Sequence, residues 1–223
     1  MRTVKKLLLI FWGLITVLLI YYFYSFSMSE QLDKERVVSS WGVCLSQLNY
    51  DADIVFLGDS ITVASRFNKQ FPELNICNMG CSGDTLEDMS ERASQIEYVH
   101  PERIFLMGGI NSLKNNNVDE SITIYKEMLN VIKNNNDTST VYIQSVLPIS
   151  QKQEKKYCKN DTIRKFNEQL KKLADEFDVT YIDLYSLYEI NGYMNEEMTY
   201  DGVHLTYEAY VLWAEKIWTY VYN

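Results

Sequence analysis

The sequence predicts an α/β domain in which helices cover both faces of one central parallel sheet, and it predicts a single membrane-spanning helix ahead of that domain. Three observations lead there. Short runs rich in β-branched and aromatic residues recur along the chain, and stretches of helical period separate them. The runs are apolar at nearly every position instead of alternating, as strands buried on both faces are. Regular β–α alternation of this kind builds three layers, α/β/α, around five parallel strands.

Taken in order, the first element is the membrane segment. Leu7 to Ser29 holds 23 positions without a charge. At ~1.5 Å per residue these reach about 34 Å, enough for a hydrocarbon layer of ~30 Å. Arg2, Lys5 and Lys6 precede the run, which favours a cytoplasmic N-terminus and an exported remainder; Tyr21, Tyr22 and Tyr24 suit the far headgroup layer. A cleaved signal peptide is the competing reading, but the run is longer than a signal core and offers no small-residue cleavage site. Residues 30–50 mix charged with spaced apolar positions and read as a juxtamembrane helix or stalk.

Residues 51–223 then form one domain, with no internal repeat and no linker rich in Pro or Gly. Strands are expected within 53–60, 74–80, 103–109, 139–148 and 178–184. Helices are expected near 61–70, 84–98, 118–134, 161–177 and 206–222, and 149–160 reads as a polar loop able to border a site.

Charge narrows the function classes. The chain carries net −9, while its first 29 residues carry +3, leaving −12 on the exported part. So acidic a domain repels phosphate backbones, which excludes nucleic acid as an expected partner. Cys77 and Cys81 form a lone C-x₃-C without a second pair or a nearby His, so a structural zinc site is not expected. With Cys44 and Cys158 they allow three disulfide pairings that sequence cannot separate. Asn-Asp-Thr occurs at 136 and at 160, a glycosylation signal only in a eukaryotic host.

In a parallel sheet, functional groups gather where strands exit at their carboxyl ends. The first strand exits into Gly58-Asp59-Ser60, which sets Ser60 at a helix start where developing negative charge is favoured. The second exits into Asn78-Met79-Gly80-Cys81-Ser82-Gly83, offering a glycine N–H to a reacting oxygen from either Gly80 or Gly83. The third exits into Gly108-Gly109-Ile110-Asn111, whose amide can complete an oxyanion hole. Near the C-terminus, Asp201 and His204 are three apart, so the carboxylate can hold one ring nitrogen while the other takes a proton from Ser60. Only two histidines exist, and His100 precedes a strand at the opposite end of the sheet, which leaves His204 as the base. Taken singly, each of these residues also reads as a cap or turn residue.

Together, in the order Ser, Gly, Asn, Asp and His, they resemble the SGNH (GDSL-type) hydrolase superfamily over about residues 51–223. Gly58-Asp59-Ser60 is similar to its nucleophile block, Ser82-Gly83-Asp84-Thr85 to its oxyanion-glycine block, Gly109-Ile110-Asn111 to its G-x-N block and Asp201-Gly202-Val203-His204 to its D-x-x-H block. The stretch from Asn160 to Asn167 is similar to the family's approach to its fifth strand. Ser112 stands where the family often has Asp. Thr62 two after Ser60 departs from the G-x-S-x-G elbow of α/β-hydrolases.

The resemblance implies a flavodoxin-like sheet order and a serine esterase acting through a seryl-acyl intermediate. It implies Ser60, Asp201 and His204 as the catalytic residues, and the N–H groups of Ser60 and Gly83 with the Asn111 amide as the oxyanion hole. Gly83 is preferred to Gly80 on the match of its block. No cofactor or metal is implied. An ester of a surface glycan or lipid is the expected substrate, with O-deacetylation of a cell-surface glycan favoured by location. Acyl transfer to a glycan, a lipase or thioesterase, and a tethered binding module without activity are the alternatives.

Overall fold

The computed structural model describes residues 51–114 and 117–222. The expected anchor over 7–29, the stalk over 30–50 and Cys44 lie outside them. Among the described residues, no helix is long and apolar enough to cross a membrane.

The five expected strands form: β1 (Ile54–Gly58), β2 (Ile76–Gly80), β3 (Arg103–Met107), β4 (Thr140–Gln144) and β5 (Thr180–Ile182). They lie parallel in the order β2-β1-β3-β4-β5. The seven helices among the described residues are α1 (Ser60–Val63), α2 (Phe67–Gln70), α3 (Leu86–Ala93), α4 (Val118–Asn135), α5 (Asn160–Phe177), α6 (Tyr185–Tyr188) and α7 (Tyr207–Tyr222). Leaving β1, the chain steps outward to β2, then returns past β1 and continues β3, β4, β5. Right-handed crossovers therefore put the β1–β2 connection on one face and the later ones on the other. The packing agrees: α4 contacts both α3 and α5, while α2 contacts α7.

Aromatic rings organise the face beneath α2 and α7. Phe56, Phe105 and Tyr142 are in register on β1, β3 and β4, and their rings stack at 4.9 and 4.5 Å between centroids. Phe67 of α2 packs on Phe56 at 4.4 Å, and Trp213 of α7 meets Phe67 edge-on at 5.2 Å. Trp213 is fully buried, and its indole N–H donates to Gln144 Oε1 at 2.7 Å, so its polar atom enters the core with a partner.

Three expected segments differ in detail, and a fourth stretch holds unexpected elements. The helix near 61–70 is two helices, because the Asn78 amide binds the Thr62 carbonyl at 3.0 Å and ends α1 after one turn. Arg66, in the left-handed region at φ 50°, then redirects the chain into α2. The helix near 84–98 narrows to a 3₁₀ turn over Ser94–Val99, which His100 ends at φ 40°. The stretch 149–160 holds a 3₁₀ turn, Gln151–Lys155. Residues 185–198, for which the pattern suggests no element, hold α6, a hairpin of Glu189–Ile190 with Tyr193–Met194, and a turn over Glu196–Met198. Two-residue strands are too short to carry a period. Their signal was Asn191-Gly192, both at positive φ, the pair that a two-residue hairpin turn of type I′ demands.

The segment after β4 runs through the interior without secondary structure, yet its backbone is paired. Asn167 accepts from the Val146 N–H at 2.9 Å and donates to the Val146 carbonyl at 2.8 Å. Asn160 does the same for Ile149, at 2.9 Å each way. Two amides seven apart on α5 thus replace a missing strand partner. Both sequon asparagines, Asn136 and Asn160, are buried, so neither side chain is presented for glycosylation.

Candidate active site

β1 ends at Gly58, where a Cβ would lie 2.1 Å from Thr62 Oγ1 and 2.3 Å from the Met107 carbonyl. Only glycine lets α1 fold back this tightly onto the strand exit. Asp59 caps the helix, its Oδ1 accepting from the Ile61 N–H at 2.9 Å. Ser60 is then the first helical residue, and its own N–H has no partner among the described residues, as expected in a first turn.

Ser60 Oγ lies 2.9 Å from His204 Nε2, 144 residues away in the chain. His204 Nδ1 lies 2.7 Å from Asp201 Oδ2. The other carboxylate oxygen accepts from the backbone N–H groups of Val203 at 2.9 Å and His204 at 2.8 Å. A carboxylate only accepts, so Nδ1 carries the ring proton and Nε2 faces the serine hydroxyl with a lone pair. Partial burial acts to raise the Asp201 pKa. The hydrogen bonds from the His204 ring and from these two N–H groups outweigh it, and hold the carboxyl below its ordinary 3.8.

The aspartate–histidine turn is held from outside itself. Gly202 sits at φ 90°, and a Cβ on it would lie 2.1 Å from Ser150 Oγ. The Ser150 N–H donates to the Gly202 carbonyl at 2.8 Å, and Gln153 Nε2 donates to the Asp201 carbonyl at 2.7 Å. The 149–160 loop borders the site, as expected, by gripping this turn. Thr199 Oγ1 donates to the His204 carbonyl at 2.7 Å and accepts from the Gly202 N–H at 2.9 Å. Tyr200 lays its ring nearly parallel to the imidazole, 14° between planes and 5.8 Å between centroids.

The two candidate glycines differ in hydrogen bonding. The Gly80 N–H is taken by Asn78 Oδ1 at 2.9 Å. Gly83 is exposed, and its N–H has no partner among the described residues. Asn111 spends one amide hydrogen on the Asp84 carbonyl at 2.9 Å, which joins it to the Gly83 turn and leaves the other hydrogen. The Cys81 N–H donates to the Gly58 carbonyl at 3.0 Å and ties the same turn to the exit of β1. Ser112 accepts from the Leu86 N–H at 2.7 Å and donates to Glu87, so it caps α3 and fastens the exit of β3 to that helix.

Beneath the turn is a residue that sequence reasoning missed. Arg92 of α3, 4% exposed, donates to Asp84 Oδ2 from Nε at 2.9 Å and Nη2 at 2.5 Å, and to the Met79 carbonyl at 2.7 Å. One guanidinium thus spans the Gly83 turn and the end of β2. The signal was available: Arg92 falls on the buried stripe with Leu86, Met89 and Ala93, where a charge needs a partner. Asp59 is the second missed group. It is wholly buried, and its Oδ2 has no partner among the described residues. Burial pushes its pKa up to about 6, although the Ile61 N–H and His204 pull the other way.

Cys77 and Cys158 are free thiols whose pKa burial raises to about 11, so neither supplies a thiolate nucleophile at neutral pH. Among the described residues, no cluster of three or more His, Cys, Asp or Glu could hold a metal ion.

With this geometry in place, residues 56–212 match the GDSL-like lipase/acylhydrolase family. The chain belongs to that family. Solved structures of similar fold include a Streptococcus pneumonia protein provisionally described as a platelet activating factor: 21% identity, TM-score 0.74, covering 88% of this chain and 99% of that one. A GDSL-like lipase from Bacteroides thetaiotaomicron is 22% identical, with TM-score 0.65 over 75% of this chain and 86% of that one. An acetyl xylan esterase is 20% identical, with TM-score 0.65 over 75% of this chain and 98% of that one. No curated protein matches the sequence. For this acylhydrolase-family chain, the hydrogen-bonded set Ser60, His204 and Asp201 falls on the residues from which the resemblance was drawn.

Proposed function

We propose that this protein is a serine esterase that removes O-acetyl groups from a cell-surface glycan, and that residues 7–29 hold it at the membrane with the esterase domain exported. One observation carries the chemistry: an unbroken line of hydrogen bonds from Ser60 Oγ through His204 to Asp201, with the N–H groups of Ser60 and Gly83 unpartnered among the described residues. Ser60 Oγ attacks the ester carbonyl while its proton passes to His204 Nε2. Asp201 keeps the ring oriented and stabilises the imidazolium. The two N–H groups and the free amide hydrogen of Asn111 receive the oxyanion. The intermediate collapses with cleavage of the bond to the sugar oxygen, which takes the proton from His204 and leaves as the free hydroxyl. Water, deprotonated by His204, then attacks the acetyl-serine and releases acetate.

The preference for acetyl over long acyl groups draws on two supports. The acetyl xylan esterase shares the fold, and an exported, tethered enzyme meets glycans at the cell surface. The test uses the full chain in detergent micelles with p-nitrophenyl esters of increasing chain length. Acetate should be the best substrate, Ser60→Ala should abolish release, and a fluorophosphonate should label the wild type alone. Preference for long chains would replace this reading with a lipase or thioesterase. An intact protein that fails to label would replace it with a binding module.

A further inference from the structure

Beside the candidate catalytic residues lies a cavity of about 510 Å³ that the chemistry above does not use. One wall comes from Ala64 to Gln70, the turn between α1 and α2; the other comes from Tyr200 and the residues that follow His204. Its walls thus follow directly on α1, which begins with Ser60, and flank His204 in the chain. Tyr200, whose ring lies against the imidazole, faces it together with Tyr207 and Tyr210. Tyr200 and Tyr207 are 71% and 68% exposed, so their ring faces are open to a ligand. Arg66 and Lys69 line the same cavity, both exposed and neither in an ion pair with any described residue. In a domain whose net charge is strongly negative, two cations left unneutralised in one cavity form a local site for an anion.

We infer that this cavity is a subsite for an anionic glycan: a sugar face rests on the exposed tyrosines while a carboxylate or phosphate carried by the same chain meets Arg66 and Lys69. The inference rests on the esterase reading above and narrows its substrate to an acetylated acidic polysaccharide. Flat aromatic faces match the C–H face of a pyranose, and Arg and Lys match an oxyanion by charge-assisted hydrogen bonding. Arg66 is held at φ 50°, in the left-handed region that non-glycine residues seldom occupy, so the turn that carries it is built against local preference beside the nucleophile helix.

The test separates binding from catalysis. The full chain in detergent micelles is titrated with unacetylated oligogalacturonate, with xylo-oligosaccharide and with phosphatidylglycerol vesicles. Oligogalacturonate should bind more tightly than the neutral oligosaccharide, and added salt should remove the difference. The double variant Arg66→Gln, Lys69→Gln should weaken oligogalacturonate binding about tenfold or more while leaving the neutral ligand's affinity in place, the size expected for lost charge-assisted contacts. Tyr207→Ala should weaken both saccharides. On acetylated galacturonan the double variant should raise KM with little change in kcat. Equal affinity for the two saccharides, or a double variant that binds oligogalacturonate as the wild type does, overturns the inference. Vesicle binding stronger than saccharide binding, lost in the same variant, assigns the cations to a lipid headgroup and also overturns it. Failure of the wild type to hydrolyse p-nitrophenyl acetate while saccharide binding persists would sink the esterase reading alone.

Discussion

Each of the protein's two histidines stands beside an aspartate, and the two pairs lie at opposite ends of one sheet. At the carboxyl end, His204 Nδ1 meets Asp201 at 2.7 Å, and the other ring nitrogen meets Ser60. At the amino end, His100 Nδ1 meets Asp51 at 3.1 Å, just ahead of β3 and β1. The side chains of His100 and Asp51 are 74% and 84% exposed, against 24% and 39% for His204 and Asp201. An imidazole–carboxylate pair is thus not itself a site. In water it is screened and free to rotate. At the carboxyl end it is gripped by Gln153, Ser150 and Thr199 and faces a hydroxyl at a helix start. The lone pair of Nε2 has a partner to act on only there.

Four measurements test that contrast. The largest effect belongs to His204→Ala, which should lower p-nitrophenyl acetate turnover by about 10³-fold or more, because the serine loses its base. Turnover near wild type would mean that the two pairs do not differ in kind. Next, Asn111→Ala should cost about 10²–10³ in kcat while thermal melting shows an intact fold, since it removes one amide donor.

Asp59 tests the buried side of the same end. Its pKa in the folded protein, about 6, lies above its ordinary 3.8, so the folded state holds the proton more tightly. The resulting stabilisation is complete below about pH 4 and is lost as pH rises through about 6. Above that range the wild type carries a buried carboxylate with an unpaired oxygen. Asp59→Asn keeps the cap acceptor and should be more stable than wild type by about 1–3 kcal/mol at pH 7.5, the advantage vanishing near pH 4. Denaturant melts at the two pH values decide it, and a difference that does not vary with pH refutes the assignment. The smallest effect is expected at the amino end, where His100→Ala should leave turnover unchanged and shift stability by no more than about 0.5 kcal/mol.

The strands were legible because the central ones, β1, β3 and β4, are buried along nearly their whole length, and a continuous apolar run needs no tertiary information to be seen. Ser60, Gly83, Asn111, Asp201 and His204 were legible because each follows such a run or sits in a turn with a recognisable residue order. Arg92, Asp59 and Gln153 were not foreseen. Gln153 bonds a backbone carbonyl 48 residues away, and a carbonyl carries no residue-type signal. For Arg92 the buried stripe marks a charge in need of a partner, but which groups it spans, the Asp84 carboxylate and the Met79 carbonyl, is set by the fold. For Asp59, the deciding fact is what surrounds its second oxygen once α1 has closed onto the strand exit.

Although Gly83 was preferred to Gly80 only on the match of its block, amino-acid order was enough to set the strand and helix alternation, Ser60, Asn111, Asp201 and His204 as candidate site residues, and the acidic character of the domain. These follow from local periodicity, turn chemistry and charge, which neighbouring residues specify. Tertiary structure alone decided that Gly83 and not Gly80 has an N–H to offer. It decided that one arginine braces the turn from below, and that Arg66 and Lys69 share a hollow with Tyr200 and Tyr207. Each of these depends on groups far apart in sequence meeting at the carboxyl end of a sheet. The order of its strands reverses direction between β1 and β3, and there the exits diverge and leave a hollow for side chains from several segments.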